Sequence, residues 1–464
     1  MKNQNYNRRN FLKVAGAGML SFSVGGLFSK EQVFGGQEQK EKPNFVIIFT
    51  DDQGYQDVGC FGSLNIRTPH LDNMAAEGMK FTDFYVGAAV CSPSRAALMT
   101  GCYPPRVGIT SVLLPYQNIG LSPEEITIAD VLKECGYATA CVGKWHLGHM
   151  PEFLPTNNGF DYYYGIPYAN SLDVVEGKST NLDEAWRNKD YTPWNVPLMR
   201  NDEIIERPAV QTTLTERYTK EAVSFIRENK DRPFFLYLAH TMPHIPLFVS
   251  DRFYVEDPRM AYKVTIEEID FFVGLVLDAL KDVGVDDNTL VIFTSDNGPW
   301  LEAGHHGGSA LPLRDGKFTT YEGGMREPCI MRWPEKIPAG SICSEICATI
   351  DLFPTIAKLA GGEVPKDRVI DGKDIWPLMK GAPGAKSPHE AYFYYMYDKL
   401  EAIRRKNWKL VRKQETELYD LEADIGERYN MADEHPDIVQ QLMKIMRDFD
   451  EELKENARPT GSVD

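Results

Sequence analysis

Four separate segments of the chain each end in residues that can handle an ion: Asp51 and Asp52, Lys144 and His146, His240 and His244, and Asp296 with Asn297. Asp51, Asp52, Asp296 and Asn297 offer hard oxygen donors. Three carboxylates brought together repel one another unless a cation sits between them. An all-oxygen set that includes an amide carbonyl suits Ca²⁺ or Mg²⁺ rather than zinc. Lys144, His146, His244, Arg95 and Lys317 form the opposite half; they are cationic or can become so, and they suit an anionic ligand. A divalent cation beside such a cluster describes a crevice for a sulfate or phosphate ester. Taken singly, each residue could equally be a helix cap or a turn residue. Recurrence in four segments is what points to one site.

Something must carry these residues to one place. "NFVIIFTDD", "YATACVGKWH", "PFFLYLAH" and "TLVIFTSDNG" are apolar runs, rich in β-branched and aromatic residues, that lead into the polar ends. Such runs read as fully buried strands of a parallel sheet. "TLTERYTKEAVSFIRENK" and "TIEEIDFFVGLVLDALKDVG" are amphipathic at helical spacing, and "TIADVLKECG" ends on a Gly136 cap. Alternation of this kind over more than 300 residues predicts an α/β sandwich around a mostly parallel sheet. In open sheets of that class the carboxyl ends of the strands form the ligand crevice.

"AVCSPSRAALMTG" adds a different kind of residue. Ser92 is a candidate N-cap and Pro93 fits a first helical position. Cys91 then lies at the positive end of a helix dipole, with Arg95 one turn along the same face. The direct reading is a nucleophilic cysteine of lowered pKa. A thiolate beside a hard cation is a poor match, because hard metals prefer oxygen.

Cys91-Ser92-Pro93-Ser94-Arg95, continued by "AALMTG", resembles the signature of type I sulfatases. "TDDQGYQDVGCFG", "GKWHLG", "FLYLAHTMPHIP", "FTSDNG", "LRDGKFTTYEGGMREP" and "LYDLEADIGERYN" follow in the family's order. The likeness runs from about Pro43 to the C-terminal helix, and the chain resembles arylsulfatase A and N-acetylgalactosamine-6-sulfatase among the family's members. A match in so many motifs is far more specific than one short pattern. The resemblance implies an alkaline-phosphatase-like sandwich and a sulfuric ester hydrolase. It implies that Cys91 is converted to formylglycine by a maturation enzyme, and that Ca²⁺ is held by Asp51, Asp52, Asp296, Asn297 and the modified Cys91. The hydrated aldehyde would supply an oxygen nucleophile, helped by Asp296. Arg95, Lys144 and Lys317 would hold the sulfate. His244, in the family's His-x-Pro pattern, would protonate the leaving alcohol with help from Lys317, and His146 would take a proton as sulfate is expelled. His240 is a pocket neighbour or merely structural. His305 and His306, in the glycine-rich stretch before Lys317, are candidates for sugar contact. The implied substrate is a sulfated carbohydrate with galactose or N-acetylgalactosamine units. A phosphate or phosphonate ester hydrolase of the same superfold, or a non-catalytic sulfated-glycan binder, are the alternatives.

The rest of the chain frames this reading. A formal net charge of -17 over 464 residues argues against a nucleic-acid partner. No run of about 18 apolar residues is present to span a membrane. "NRRNFLKVAGAGMLSFSVGGLF" has the layout of a twin-arginine export signal. Residues 1–35 are therefore expected to be an export leader of a bacterial protein bound for the periplasm or beyond. Residues 42–370 are expected to form the catalytic domain, and 371–464 a smaller subdomain with a short antiparallel sheet and a closing helix. The eight cysteines contain no Cys-x-x-Cys pair, and their pairing cannot be read.

Overall fold

The computed structural model describes residues 42–463, so the expected export leader lies outside the described residues. The main sheet is built from β1 (Asn44–Thr50), β2 (Met79–Phe81), β3 (Ala138–Gly143), β4 (Tyr162–Gly165), β5 (Leu198–Arg200), β6 (Glu203–Glu206), β7 (Phe234–Ala239), β8 (Thr289–Ser295), β9 (Cys329–Arg332) and β10 (Ser341–Cys343). Their spatial order is β10-β2-β9-β8-β1-β7-β3-β4-β5-β6. The central strands β8, β1, β7, β3 and β4 are all parallel. Antiparallel pairs flank them, β8 with β9 on one side and β4 with β5 on the other. The four apolar runs are thus neighbours at the centre of the sheet. The flanking strands are short; β2 opens the run "MKFTDFYVGAAV", which reads as a strand leading into the helix at Cys91, while β5, β6, β9 and β10 were not expected.

The alternation within β1 shows why it lies at the centre. Val46 and Ile48 point into one apolar cluster, while Phe45, Ile47 and Phe49 point into another on the opposite face. All five are fully buried. Each such side chain contributes on the order of 1.5–3 kcal/mol of burial. The first face is covered by α2 (Leu214–Glu228) and α3 (Ala261–Asp282), the second by α1 (Cys91–Thr100) and α4 (Leu352–Leu359). Helix α3 begins at Ala261, one turn before the stretch read from the sequence, because Ala261 and Val264 continue its buried stripe.

Beyond α4 lies a four-stranded antiparallel meander: β11 (Tyr392–Met396), β12 (Lys399–Arg405), β13 (Trp408–Arg412) and β14 (Thr416–Asp420). The single run "LEAIRRKNWKLVR" divides into β12 and β13 because Lys406 takes a left-handed conformation, φ 57°. Helix α5 (Pro436–Glu455) packs on the meander through Leu442, Met446 and Leu453. Their shared cluster also takes in Tyr85, Val86 and Ala97, next to the Cys91 stretch. At its centre Glu322 accepts hydrogen bonds from Tyr85 (2.6 Å), Tyr394 (2.8 Å) and Lys409 (2.9 Å). Burial opposes this charge, but Lys409 and Arg326 outweigh it and hold Glu322 well below the usual carboxylate range. The eight cysteines are all free.

Candidate active site

Strand register brings the reactive residues to one edge. Thr50 pairs with Ser295, Phe49 with Ala239, and Gly143 also with Ala239. Asp51, Asp296, His240 and Lys144 are each the next residue along, so they emerge within one residue of the same level. The chain then bends sharply. Asp52 (φ 64°) and His146 (φ 61°) adopt left-handed backbone conformations, which non-glycine residues hold only where the surroundings impose them. Gly143 (φ +115°) precedes Lys144, and a Cβ there would meet the Ala239 carbonyl oxygen at 1.8 Å.

The carboxylates and cations interlock. Lys144 Nζ donates to Asp51 Oδ2 at 2.5 Å. Lys317 Nζ donates to both oxygens of Asp52, at 2.6 and 2.7 Å. Arg95 donates to Asp296 Oδ2 at 2.8 and 3.1 Å, to the Lys144 carbonyl at 3.0 Å and to Tyr237 Oη at 3.4 Å. Asn297 Nδ2 donates to Asp52 Oδ1 at 2.7 Å, while its Oδ1 is buried without a partner among the described residues. Burial works against ionising Asp51, but Lys144, His244, Arg95 and Lys317 prevail and hold it far below its ordinary value. Asp296 moves the other way: burial and the neighbouring Asp51 push it up against the pull of Arg95.

Cys91 sits inside this ring. It opens α1 directly after the extended Val90 (φ -150°, ψ 153°). Ser92 is therefore not the N-cap. It lies within the first turn, and its hydroxyl accepts from the Leu113 N–H at 3.1 Å. Pro93 stands one turn in, where its missing N–H is still harmless. The Cys91 thiol donates to Asp51 Oδ1 at 3.4 Å, and Lys317 Nζ donates to its sulfur at 3.5 Å. Burial, and then Asp51, push the thiol far above its ordinary pKa despite Lys144 and Lys317. The helix N-terminus and adjacent lysines do not produce a thiolate here, so the lowered pKa of the direct reading is absent. An unmodified thiol of this kind is a poor nucleophile at neutral pH.

The histidines are arranged differently from one another. His244 Nδ1 donates to the Ile245 carbonyl (2.6 Å) and faces Asn170 Oδ1 (3.1 Å), and its Nε2 lies 3.7 Å from Asp52 Oδ2. Burial and then Lys317 lower its pKa to about 4. His146 Nε2 donates to the Leu113 carbonyl at 3.0 Å, leaving Nδ1 as a buried acceptor without a partner among the described residues. Burial and Lys144 drive it well below its ordinary value. His240 is buried with neither ring nitrogen bonded among the described residues. His305 and His306 do not join this ring; both turn to Asp183.

Three contributors were not foreseen. Asn170 orients His244 from a loop that has no period to read. Trp300 packs against His244 with ring centroids 5.8 Å apart and lies under the Lys317 ammonium at 4.9 Å. It follows Asp296-Asn297 closely in sequence, a proximity that could have found it. Tyr237, inside β7, looked like core alone.

Residues 43–362 match the family described as Sulfatase. The chain belongs to the sulfatase family. Residues 313–456 of this sulfatase also match the family described as N-sulphoglucosamine sulphohydrolase, C-terminal. It is similar to human arylsulfatase A, 38% identical over 87% of each chain. It is similar to dog N-acetylgalactosamine-6-sulfatase, 40% identical over 80% of this chain and 71% of that one. Mouse steryl-sulfatase is 36% identical over 80% and 70%. Among solved structures, Ps i-CgsB in complex with k-i-k-neocarrahexaose superposes with a TM-score of 0.78 at 33% identity, covering 88% of this chain and 93% of that one. The PsFucS1 sulfatase from Pseudoalteromonas sp. gives 0.81 at 26% identity, covering 92% and 93%. The sulfatase shares with these structures the alkaline-phosphatase-like fold, and as a member of its family it is a sulfuric ester hydrolase.

The donor set of this sulfatase fits a hard cation. Asp51, Asp52 and Asp296 are carboxylates packed together, and Asn297 Oδ1 is a buried amide oxygen still lacking a partner among the described residues. Oxygen donors in that combination suit Ca²⁺.

Proposed function

We propose that this sulfatase hydrolyses a sulfate monoester on a carbohydrate, of the galactose or N-acetylgalactosamine type, after conversion of Cys91 to formylglycine by a maturation enzyme. The observation that carries this reading is the Cys91 sulfur lodged between Asp51 Oδ1 and Lys317 Nζ, where burial and Asp51 disfavour the thiolate. The substrate class rests on the similarity to dog N-acetylgalactosamine-6-sulfatase and to Ps i-CgsB, whose complex holds a neocarrahexaose. We also read residues 1–35 as an export leader, 42–370 as the catalytic domain and 371–464 as the C-terminal subdomain. The protein would then act in the periplasm or outside the cell.

Asp51, Asp52, Asp296, Asn297 and residue 91 would hold Ca²⁺. Together the ion and the formylglycine hydrate supply charge stabilisation and an oxygen nucleophile. The remaining work belongs to side chains of the chain. Asp296, whose affinity for a proton is raised by burial and by Asp51, accepts one from the hydroxyl at position 91. Lys144 and Lys317 bind the sulfate oxygens and stabilise charge developing on them. Arg95 adds its positive charge while keeping Asp296 in place. His244 protonates the departing alcohol beside Lys317. Its ring is neutral in the free site, and a bound sulfate favours the imidazolium by adding negative charge next to it. His146, with Nδ1 free as an acceptor, takes a proton from residue 91 as sulfate leaves.

The test is to produce the protein with and without a formylglycine-generating enzyme. Mass spectrometry of the peptide containing position 91 is then compared with hydrolysis of an aryl sulfate, an aryl phosphate and a panel of sulfated sugars. We expect sulfate release only from converted protein, with a galactose or N-acetylgalactosamine sulfate preferred. Equal turnover by unconverted protein would overturn the formylglycine mechanism. Faster turnover of the phosphate would overturn the sulfate assignment, and binding without turnover by converted protein would overturn catalysis.

A further inference from the structure

A second cluster of ligating side chains lies away from the sulfate crevice. His305 Nε2 and His306 Nε2 converge on the same oxygen, Asp183 Oδ1, at 2.8 and 3.0 Å. The ligand atoms of all three residues lie within 4.8 Å of one another. The two imidazoles are adjacent in sequence, and such neighbours ordinarily diverge. Here Gly304 (φ 60°, ψ -124°) breaks the helical turn before them. Their ring centroids are 4.6 Å apart with the planes tilted by 38°. Asp183 comes from a segment 122 residues earlier. Its second oxygen is held by Arg187 at 3.3 Å, leaving Oδ1 to the histidines. His306 is buried and His305 reaches solvent, so the cluster has one open side.

We propose that Asp183, His305 and His306 form a binding site for a divalent cation of the zinc class, independent of the calcium set and of the substrate reading. Two imidazoles and one carboxylate, with a position left for water, make a ligand set that zinc takes in four-coordinate sites. Imidazoles exclude Ca²⁺ and Mg²⁺ as the preferred ion. A tetrahedral ion with bonds of about 2.0–2.1 Å keeps its ligands roughly 3.3 Å apart, so the observed 2.8 and 3.0 Å need widen only slightly. The ion would clip the segment that begins at Trp300 to the segment carrying Asp183. Trp300 packs on His244 and Lys317, so the clip would fix one wall of the catalytic crevice. It would also employ His305 and His306 in place of a direct sugar contact.

The test uses tag-free, full-length protein stripped with chelator, reloaded with calcium and titrated with zinc chloride alone. Calorimetry and elemental analysis should show one zinc bound per chain in the presence of excess calcium. The variants His305→Ala and Asp183→Asn should each weaken that binding at least tenfold. In hydrogen exchange, zinc should slow exchange across residues 300–308 and 182–188 in the parent protein and leave it unchanged in the variants. His305 is exposed, so its variant keeps the fold even if changes at the buried His306 do not. Absence of zinc binding would overturn the proposal. So would equal binding by both variants, which would place the zinc on Asp51, Asp52, Cys91 and His244.

Discussion

In the proposed mechanism Asn170 would act on the chemistry through His244. Its Oδ1 and the Ile245 carbonyl both face Nδ1, which fixes the tautomer and turns Nε2 toward Asp52. We predict that Asn170→Ala lowers kcat/KM on an aryl sulfate about tenfold, the equivalent of one lost hydrogen bond of roughly 1.4 kcal/mol. Asn170→Asp would put a carboxylate against the ring and raise its pKa, so the limb of the pH profile governed by His244 should move to higher pH. An unmoved profile would make Asn170 a packing residue only. Lys317→Ala removes both bonds to Asp52 together with one of the charges proposed to bind sulfate. Its kcat should fall on the order of 10²–10³-fold, and a drop of less than about threefold in converted enzyme would remove Lys317 from the mechanism.

At the scale of elements, the turn at the end of β3 is tightly constrained. Gly143→Ala must place a methyl group into the Ala239 carbonyl and also hold φ near +115°. We expect a loss of more than about 2 kcal/mol, read as a lower midpoint in urea unfolding, with the aryl sulfatase activity of the surviving folded fraction reduced because Lys144 and His146 follow directly. Wild-type stability in this variant would show that the turn can relax. The same elements show what a sequence can disclose. The runs forming β1, β3, β7 and β8 were readable because strands buried on both faces need unbroken apolar residues, and their polar ends stood out against that background. The Cys91 stretch was readable because its residue types are unusual together. The flanking strands β5 and β6 were not, being three or four residues long and stabilised by pairing rather than by pattern. Asn170, and the pairing of Asp183 with His305 and His306, depend on loops meeting in space, which leaves no trace in periodicity.

For the whole molecule, the connection between the catalytic sheet and the C-terminal meander is partly ionic. His389 Nε2 lies 2.7 Å from Asp351 Oδ1, just before α4, and Asp351 also accepts from the Lys373 and Ala348 N–H groups. Burial disfavours the charged ring, but Asp351 more than compensates, so the folded pKa stands above the ordinary 6.5. The stabilisation from this pair is thus complete below about pH 6.5 and is lost as pH rises through the raised folded value. His389→Gln should flatten that part of the stability-against-pH curve in thermal unfolding between pH 6 and 9. An identical slope in the variant would mean that the pair is not what links pH to stability. The meander also reaches toward the crevice: Glu322, five residues after Lys317, is neutralised by Lys409 from β13 and accepts a hydrogen bond from Tyr394 of β11. A chain cut before β11 would strip Lys409 and Tyr394 from that carboxylate and leave it with Tyr85 and Arg326 as partners.

One feature of the crevice imposes a schedule. Cys91 is 2% exposed, enclosed by strand ends that only meet once the sheet is assembled and by Lys317 from far along the chain. A visiting enzyme that must grip the residues around position 91 finds no purchase on the finished molecule. If Cys91 is converted as proposed, the opportunity would come while the stretch from Ala89 to Gly101 is still an open strand of polypeptide, and it would close when folding does. The share of active molecules in any preparation would then be set by a race between two clocks, oxidation of one side chain and collapse of the whole chain, and slowing the second would raise the yield of the first.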